Sequence, residues 1–368
     1  MQKMKNIEFL RVIAILAIVL LHFFHSRQGG ILSLHLSSIN TYNILGKWTM
    51  NGQKAVDFFF ILSGLFFYLG FVNNSGQRFW DFIKKKFIRM WPVMAFAVLL
   101  ASVFSLFKLM KFTYWDNIYA LLFLNGTALF KMSGNLGVSW YCSVMMLHFI
   151  LFFYLLKNFN PKIVWLIIGF GVYLSYAYLL GGNNFHINNA HKDYGYIFNS
   201  MMLRAWGGIG LGMLIALWYN TYQKAILAYI PQKTTKILIT AGEFVCLYFM
   251  IHNLLFHKFR HGNDFMFILV FIGLITAFIC KKGYISQLFD RNIFVEMSKY
   301  VYSIFMTHTL VFVALKNSFW LKHSQFVIEN PLTNLFISLG LTILVGVLTY
   351  HLVEIKCKNY LTKKWFGK

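Results

Sequence analysis

The sequence predicts an all-α integral membrane protein of about ten transmembrane helices, with both termini cytoplasmic and no soluble domain. Three observations carry that expectation. Of the 368 residues, 58% are hydrophobic, 19% aromatic and only 12% charged, with a mean hydropathy of +0.60, a balance that soluble domains do not use. Runs of about 20 mostly apolar residues, the length needed to cross a hydrocarbon core of about 30 Å, recur along the whole chain. Lys and Arg, finally, are divided unequally between the two sets of connecting loops.

The spans are expected near residues 9–27, 55–72, 89–107, 138–157, 163–180, 201–219, 235–256, 265–280, 300–318 and 333–353. The first holds the aliphatic run RVIAILAIVLLHFFH, and the second is AVDFFFILSGLFFYLGFV. The third opens where the basic segment FIKKKFIRMWP gives way to apolar residues, and the fourth and fifth are joined by a short turn at Pro161. Five further runs of the same kind complete the set. The stretch IYALLFLNGTALF (118–130) is too short to cross, so it belongs at the interface or re-enters. With a cytoplasmic N-terminus, 21 of the 34 Lys and Arg fall on the cytoplasmic side and 11 outside, while Arg11 and Arg204 lie within spans. That asymmetry sets the orientation.

The net charge of +23 would suggest nucleic-acid binding in a soluble protein. Here FIKKKFIRMWP and KCKNYLTKKW read as topology signals beside anionic lipid headgroups, and nucleic acid is excluded as a partner. Cys142, Cys246, Cys280 and Cys357 sit in or next to spans without ligand spacing, so neither a disulfide framework nor a metal site is expected. The first span lacks a small-residue cleavage site and nine others follow, so it reads as a retained helix. There is no internal repeat, low-complexity tract or appended soluble segment, and residues 1–368 read as a single membrane domain.

Arg11 and His22 are 11 residues apart, which at about 100° per residue is only about 20° from a whole number of turns, so they share one face of the first helix. The rise separates them by about 16 Å, with Arg11 near the cytoplasm and His22 in the outer half. His25 continues the stripe. An arginine this close to a helix end can snorkel, whereas an imidazole near the outer third is harder to assign to topology. Asp57 enters the second span at the depth of His22, and a buried carboxylate needs a partner; His22 is the expected one. Ser63-Gly64, two turns deeper, reads as close packing of small residues or as a substrate contact. Arg204, inside the outer leaflet, needs a carboxylate or a polar ligand and is a candidate contact for a substrate. His308, in the ninth span, follows Tyr300 by eight residues; Tyr300 and Ser303 are placed on the same cavity, and an interhelical hydrogen bond is the other reading of His308. His148, His252 and His351 read as structural.

Several of these segments together resemble one family. IEFLRVIAILAIVLLHFFHS, with an arginine, ten residues and a histidine in the first span, resembles the acyltransferase-3 family of bacterial membrane acyltransferases. GQKAVDFFFILSGLFFYLG is similar to its second span, FIRMWPVMAF to its entry into the third, MSKYVYSIFMTHTLVF to its penultimate span and YHLVEIKCK to the glutamate closing the last. The resemblance runs from residue 7 to about 358. Two positions depart from the pattern: Met145 or Met146 stands where many members carry a glutamate, and Lys54-Ala55-Val56 alters the glycine-valine pair. Glu243 is a replacement carboxylate by depth alone.

The resemblance implies transfer of an acyl group, acetyl by default, from cytoplasmic acyl-CoA to a hydroxyl of an envelope glycan such as O-antigen, capsule or exopolysaccharide, in a bacterial inner membrane. Acyl-CoA is then the co-substrate and no metal is involved. Arg11 would hold a donor phosphate, for which its planar fork is suited. A pantetheine arm of comparable length to the Arg11 to His22 distance would bring the thioester beside His22. His22 would act as general base, with a covalent acyl-histidine as the other route, and Asp57 would assist it. Arg89 matches a family position and extends the donor site; Glu354 reads as structural. The rival reading is a secondary transporter or flippase for lipid-linked sugars. Such folds break helices mid-membrane, whereas Pro92, Pro161, Pro231 and Pro331 are all expected at span ends or in loops.

Overall fold

The structure is a computed structural model and describes residues 4–25, 49–110, 114–127, 137–181, 193–194, 198–223, 231–256, 263–317 and 331–367. Its elements in order are α1 (Lys5–His25), a 3-10 turn (Met50–Lys54), α2 (Ala55–Asn73), α3 (Phe79–Leu106), α4 (Tyr114–Leu121), α5 (Ser139–Asn158) and α6 (Pro161–Gly181). A two-stranded ribbon of β1 (Asp193–Tyr194) and β2 (Phe198–Asn199) precedes α7 (Ser200–Thr221), α8 (Gln232–Phe256) and α9 (Asn263–Cys280). Short helices α10 (Tyr284–Leu288) and α11 (Asn292–Ser298) lead to α12 (Val301–Asn317) and α13 (Pro331–Thr349), which continues through a π-helical turn (Tyr350–Glu354) into α14 (Ile355–Phe366). The fold class is the expected one, an all-α membrane protein, with that ribbon as a minor addition.

Among the described residues eight helices are long and apolar enough to cross a membrane. The eighth and ninth expected spans are also helical but shorter, with apolar segments Asp264–Cys280 and Val301–Lys316. One boundary changes an argument. Helix α3 begins at Phe79, with Asp81 in its first turn, where a carboxylate favours the helix N-terminus. The basic segment is therefore helical, and Pro92 lies inside a helix rather than at its end, correcting the expectation. The helix nevertheless runs on to Leu106; neighbouring groups compensate a proline's missing N–H in such helices. In the stretch 118–130, α4 ends at Leu121 and is followed by turns in which Phe123 and Gly126 have φ of 58° and 76°; residues 128–130 lie outside the described set.

The chain divides into two compact units interleaved in sequence: residues 1–14, 53–79 and 147–298 form one, and 15–52, 80–146 and 299–368 the other. In the first unit α2 and α7 lie backbone to backbone. A Cβ on Gly64 would meet the Ile209 peptide, and one on Gly212 would meet the Ile61 carbonyl and the Leu65 nitrogen. The small residues at Ser63-Gly64 thus serve packing at Gly64. Helix α6 packs on the other flank of α7, α8 pairs with α9, and Phe67 stacks on Phe149 of α5 at 5.1 Å. The start of α1 is tied in by Asn6, whose side chain donates to the Phe278 carbonyl at 2.6 Å, and by Phe9, stacked on Phe289 at 3.8 Å.

In the second unit α12 packs along α13, where a Cβ on Gly346 would meet Ile304. The Tyr302 hydroxyl donates to the Met90 carbonyl of α3 at 2.6 Å. Phe87 of α3 meets Trp365 of α14 at 5.7 Å, and Phe23 of α1 meets Phe312 of α12 edge-on at 5.9 Å. This last contact positions the residues considered next.

Candidate active site

Helices α1 and α12 each place one imidazole at their junction in the second unit. His22 is half-buried on α1 and His308 is fully buried on α12, with ring centroids 5.0 Å apart and planes inclined at 50°. The surroundings are aromatic. Phe305 and Phe312 both lie 6.0 Å from the His308 ring, Tyr141 of α5 packs on Phe305 at 5.4 Å, and Phe23 covers Phe312. The sequence identified both histidines, but nothing in it paired them, because they are separated by the length of the chain.

The other residues expected beside His308 point elsewhere. The Tyr300 hydroxyl lies 3.5 Å from His351 Nε2 and its ring meets Tyr350 edge-on at 5.1 Å. Ser303 donates a 2.6 Å hydrogen bond to Glu354 Oε2. Tyr300 and Ser303 are thus engaged with the π-helical turn, an irregularity that often marks a functional position, and do not share the imidazole cluster. Arg89 is exposed on α3 and, like Glu354, lies within electrostatic range of Tyr302.

In the first unit, Arg11 donates to Glu8 Oε2 at 2.7 Å, one turn back along α1. Glu8 was not singled out by the sequence reading, although an (i, i+3) acid and base is a legible signal. It fixes the position of one guanidinium nitrogen. The larger assembly is a buried quartet. Arg204 Nε donates to Asp57 Oδ1 at 3.0 Å and Nη2 to Oδ2 at 2.9 Å, a two-pronged pair in which the side chains are 3% and 2% exposed. Beside it Lys54 is ion-paired with Asp264, and the two pairs feel one another electrostatically. Asn199 sets α7 in register for this by accepting from the Met202 N–H at 2.9 Å, capping the helix one turn before Arg204.

That geometry corrects one expectation. The partner expected for Asp57 is His22, yet both carboxylate oxygens are bonded to Arg204. The physical reason is reciprocal: a guanidinium inside a span needs a carboxylate more than a neutral imidazole does. Arg204 meets its requirement in the same pair. Lys54, seen only as a departure from a motif, and Asp264, not considered, are the members that sequence reasoning missed; both sit at helix starts on different spans.

Glu243 is also accounted for. It is fully buried, and its carboxylate accepts from the backbone N–H groups of Ile285 at 3.0 Å and Ser286 at 3.2 Å. It holds the connection after α9. Ser63 is half-buried on α2. His148 is buried against Trp206 at 5.8 Å, and His252 lies 5.8 Å from Tyr248. His25 ends α1, and its side chain lies outside the described set, as do residues 28–48, 111–113, 128–136, 182–192 and 195–197 of the connections in which acceptor contacts are sought.

A family model described as an acyltransferase domain, that of the acyltransferase-3 family, matches residues 4–351 of the chain. Comparison with curated proteins and with solved structures gives no match.

Proposed function

The chain belongs to the acyltransferase-3 family and is a membrane acyltransferase; on that premise we propose that it moves an acyl group, acetyl by default, from cytoplasmic acyl-CoA to a hydroxyl of a cell-surface or envelope glycan. The location that follows is a bacterial inner membrane. The observation that carries the reading is the His22–His308 pair, 5.0 Å between centroids and enclosed by aromatic rings, on a helix whose other end presents Arg11. A scaffold has no use for two imidazoles brought together among aromatic rings.

In the reaction, the Arg11 guanidinium holds a donor phosphate at the cytoplasmic end of α1; Arg89 is a donor-binding candidate by its family position alone. The acceptor oxygen attacks the thioester carbonyl; the C–O bond forms and the C–S bond breaks. His22 removes the hydroxyl proton and returns it to the departing thiolate, so that ester and thiol are the products. General-base assistance of this kind contributes about 10²- to 10⁴-fold, and holding the two reactants together in a dry site contributes further.

The test is replacement of His22 by Ala with mass spectrometry of the surface glycan. Acylation is expected to fall at least about 100-fold at unchanged protein level. Retained acylation overturns the mechanism, and lost export of an otherwise acylated glycan favours the transport reading. Against that reading, α3 continues unbroken through Pro92, unlike the discontinuous helices of transporters.

A further inference from the structure

The two nitrogens of His308 are in different circumstances. Nδ1 lies 2.7 Å from the Phe305 carbonyl oxygen and 3.3 Å from that of Ile304. A carbonyl can only accept, so Nδ1 carries a proton and the lone pair of the neutral ring is on Nε2. That nitrogen is buried without a hydrogen-bond partner. A buried acceptor left unpaired is destabilising, and a residue kept only for packing has no reason to bear that cost. The same helical turn repeats the pattern. Thr307 donates to the carbonyl four residues back, that of Ser303, at 2.8 Å; for Thr309 the corresponding carbonyl is that of Phe305, already taken by His308, and the Thr309 hydroxyl is also buried without a partner.

An acceptor of fixed tautomer waits for a donor, and the ring beside it is that of His22. Two imidazoles joined by an N–H···N bond of about 2.9 Å have their centroids about 5 Å apart, which is the separation observed. From this geometry we infer that His308 is the positioning residue for His22, accepting the N–H of the His22 nitrogen that faces away from the substrate. The inference rests on the proposed acyl transfer.

The resulting chain has a consistent sense from end to end. The Phe305 carbonyl accepts from Nδ1 of His308, Nε2 of His308 accepts from one nitrogen of His22, and the other nitrogen of His22 presents its lone pair to the acceptor hydroxyl. His22 is thereby held in the one tautomer that can act as a base. When it takes the hydroxyl proton, its second N–H remains bonded to a neutral acceptor, which stabilises the imidazolium. No proton passes to His308. The arrangement follows the general logic in which a base is oriented by a third group, with an imidazole anchored on a backbone carbonyl in the place of a carboxylate.

The experiment compares His308→Phe, which keeps the ring shape, with His308→Gln, which keeps an acceptor oxygen, in membranes supplied with acetyl-CoA and read by thiol release and by acylation of the surface glycan. The Phe variant is expected to lower the rate at least about 10-fold, as loss of the outer hydrogen-bond partner of a metal-bound histidine does, with the KM for acetyl-CoA unchanged. The Gln variant recovers part of the rate. Combined with His22→Ala, neither substitution slows the protein further, since residues acting as one unit are not additive. Wild-type rates in His308→Phe, a raised KM, or an additional loss on top of His22→Ala overturns the inference. A wild-type protein whose thiol release does not exceed that of His22→Ala overturns the acyl-CoA reading itself, and this one with it.

Discussion

Asp57 and Arg204 are each 2–3% exposed and are bonded through both carboxylate oxygens. Removing one member leaves the other charged and buried, which costs about 3–5 kcal/mol, whereas replacing both with apolar groups of similar size is often close to neutral. Asp57→Ala and Arg204→Ala are therefore each expected to lower the melting temperature of detergent-solubilised protein sharply, and Asp57→Leu combined with Arg204→Met to recover most of it. Equal losses in the single and double variants would give the pair a role beyond mutual neutralisation. The members of this cluster were half legible. A carboxylate and a guanidinium within spans are costly enough to be noticed in isolation, but which base meets which acid depends on how α2 and α7 cross, and no local pattern encodes that. Glu8 and Arg11 lie on one helix, and their pairing needed only the (i, i+3) rule.

The crossing of α2 and α7 is set by glycines. In a lipid surrounding, helices gain little from excluding water from one another, and close backbone approach through small residues takes its place. Gly64 faces the Ile209 peptide, Gly212 faces Ile61 and Leu65, and a Cβ on Gly208 would come 2.5 Å from Phe60 Cβ. Ala at Gly64 or Gly212 must push two backbones apart, and overpacking of this kind costs roughly 1–3 kcal/mol. Ala at Gly70 or Gly169, where nothing lies within 4 Å, is expected to be neutral or stabilising, because Ala is the better helix former by about 1 kcal/mol. Thermal unfolding of the four variants checks this; a uniform response would remove the glycines from the account of the crossing. Element existence was the most legible part of the fold, since a run of about 20 apolar residues has few other uses. Element ends were less so. The amphipathic start of α3 and the continuation of α13 through a π-helical turn to Phe366 are polar enough to read as loops, yet both are helical.

At the scale of the whole chain, hydropathy gives spans and loop charge gives sides, but neither says which spans associate. The interleaving of the two units, with α1 and α5 lending residues to both, was accordingly invisible, and so was the meeting of His22 with His308. Sidedness, in contrast, rests on loop charge. Lys84, Lys85 and Lys86 at the start of α3 and Lys356, Lys358, Lys363 and Lys364 on α14 are all expected in the cytoplasm from loop charge. Within the second unit Phe87 and Trp365 bring those two segments together at 5.7 Å, as segments on one face of a bilayer must be able to do. Asn74, exposed in the turn between α2 and α3, and Lys108, exposed just beyond the far end of α3, then lie on opposite faces. With the four native cysteines replaced, a membrane-impermeant thiol reagent applied to spheroplasts should label Lys108→Cys and leave Asn74→Cys unlabelled until the membrane is opened. The reverse pattern would put Arg11 on the outer side of the bilayer, out of reach of a cytoplasmic thioester, and the proposed direction of acyl transfer would have to be abandoned even if His22 and His308 proved essential.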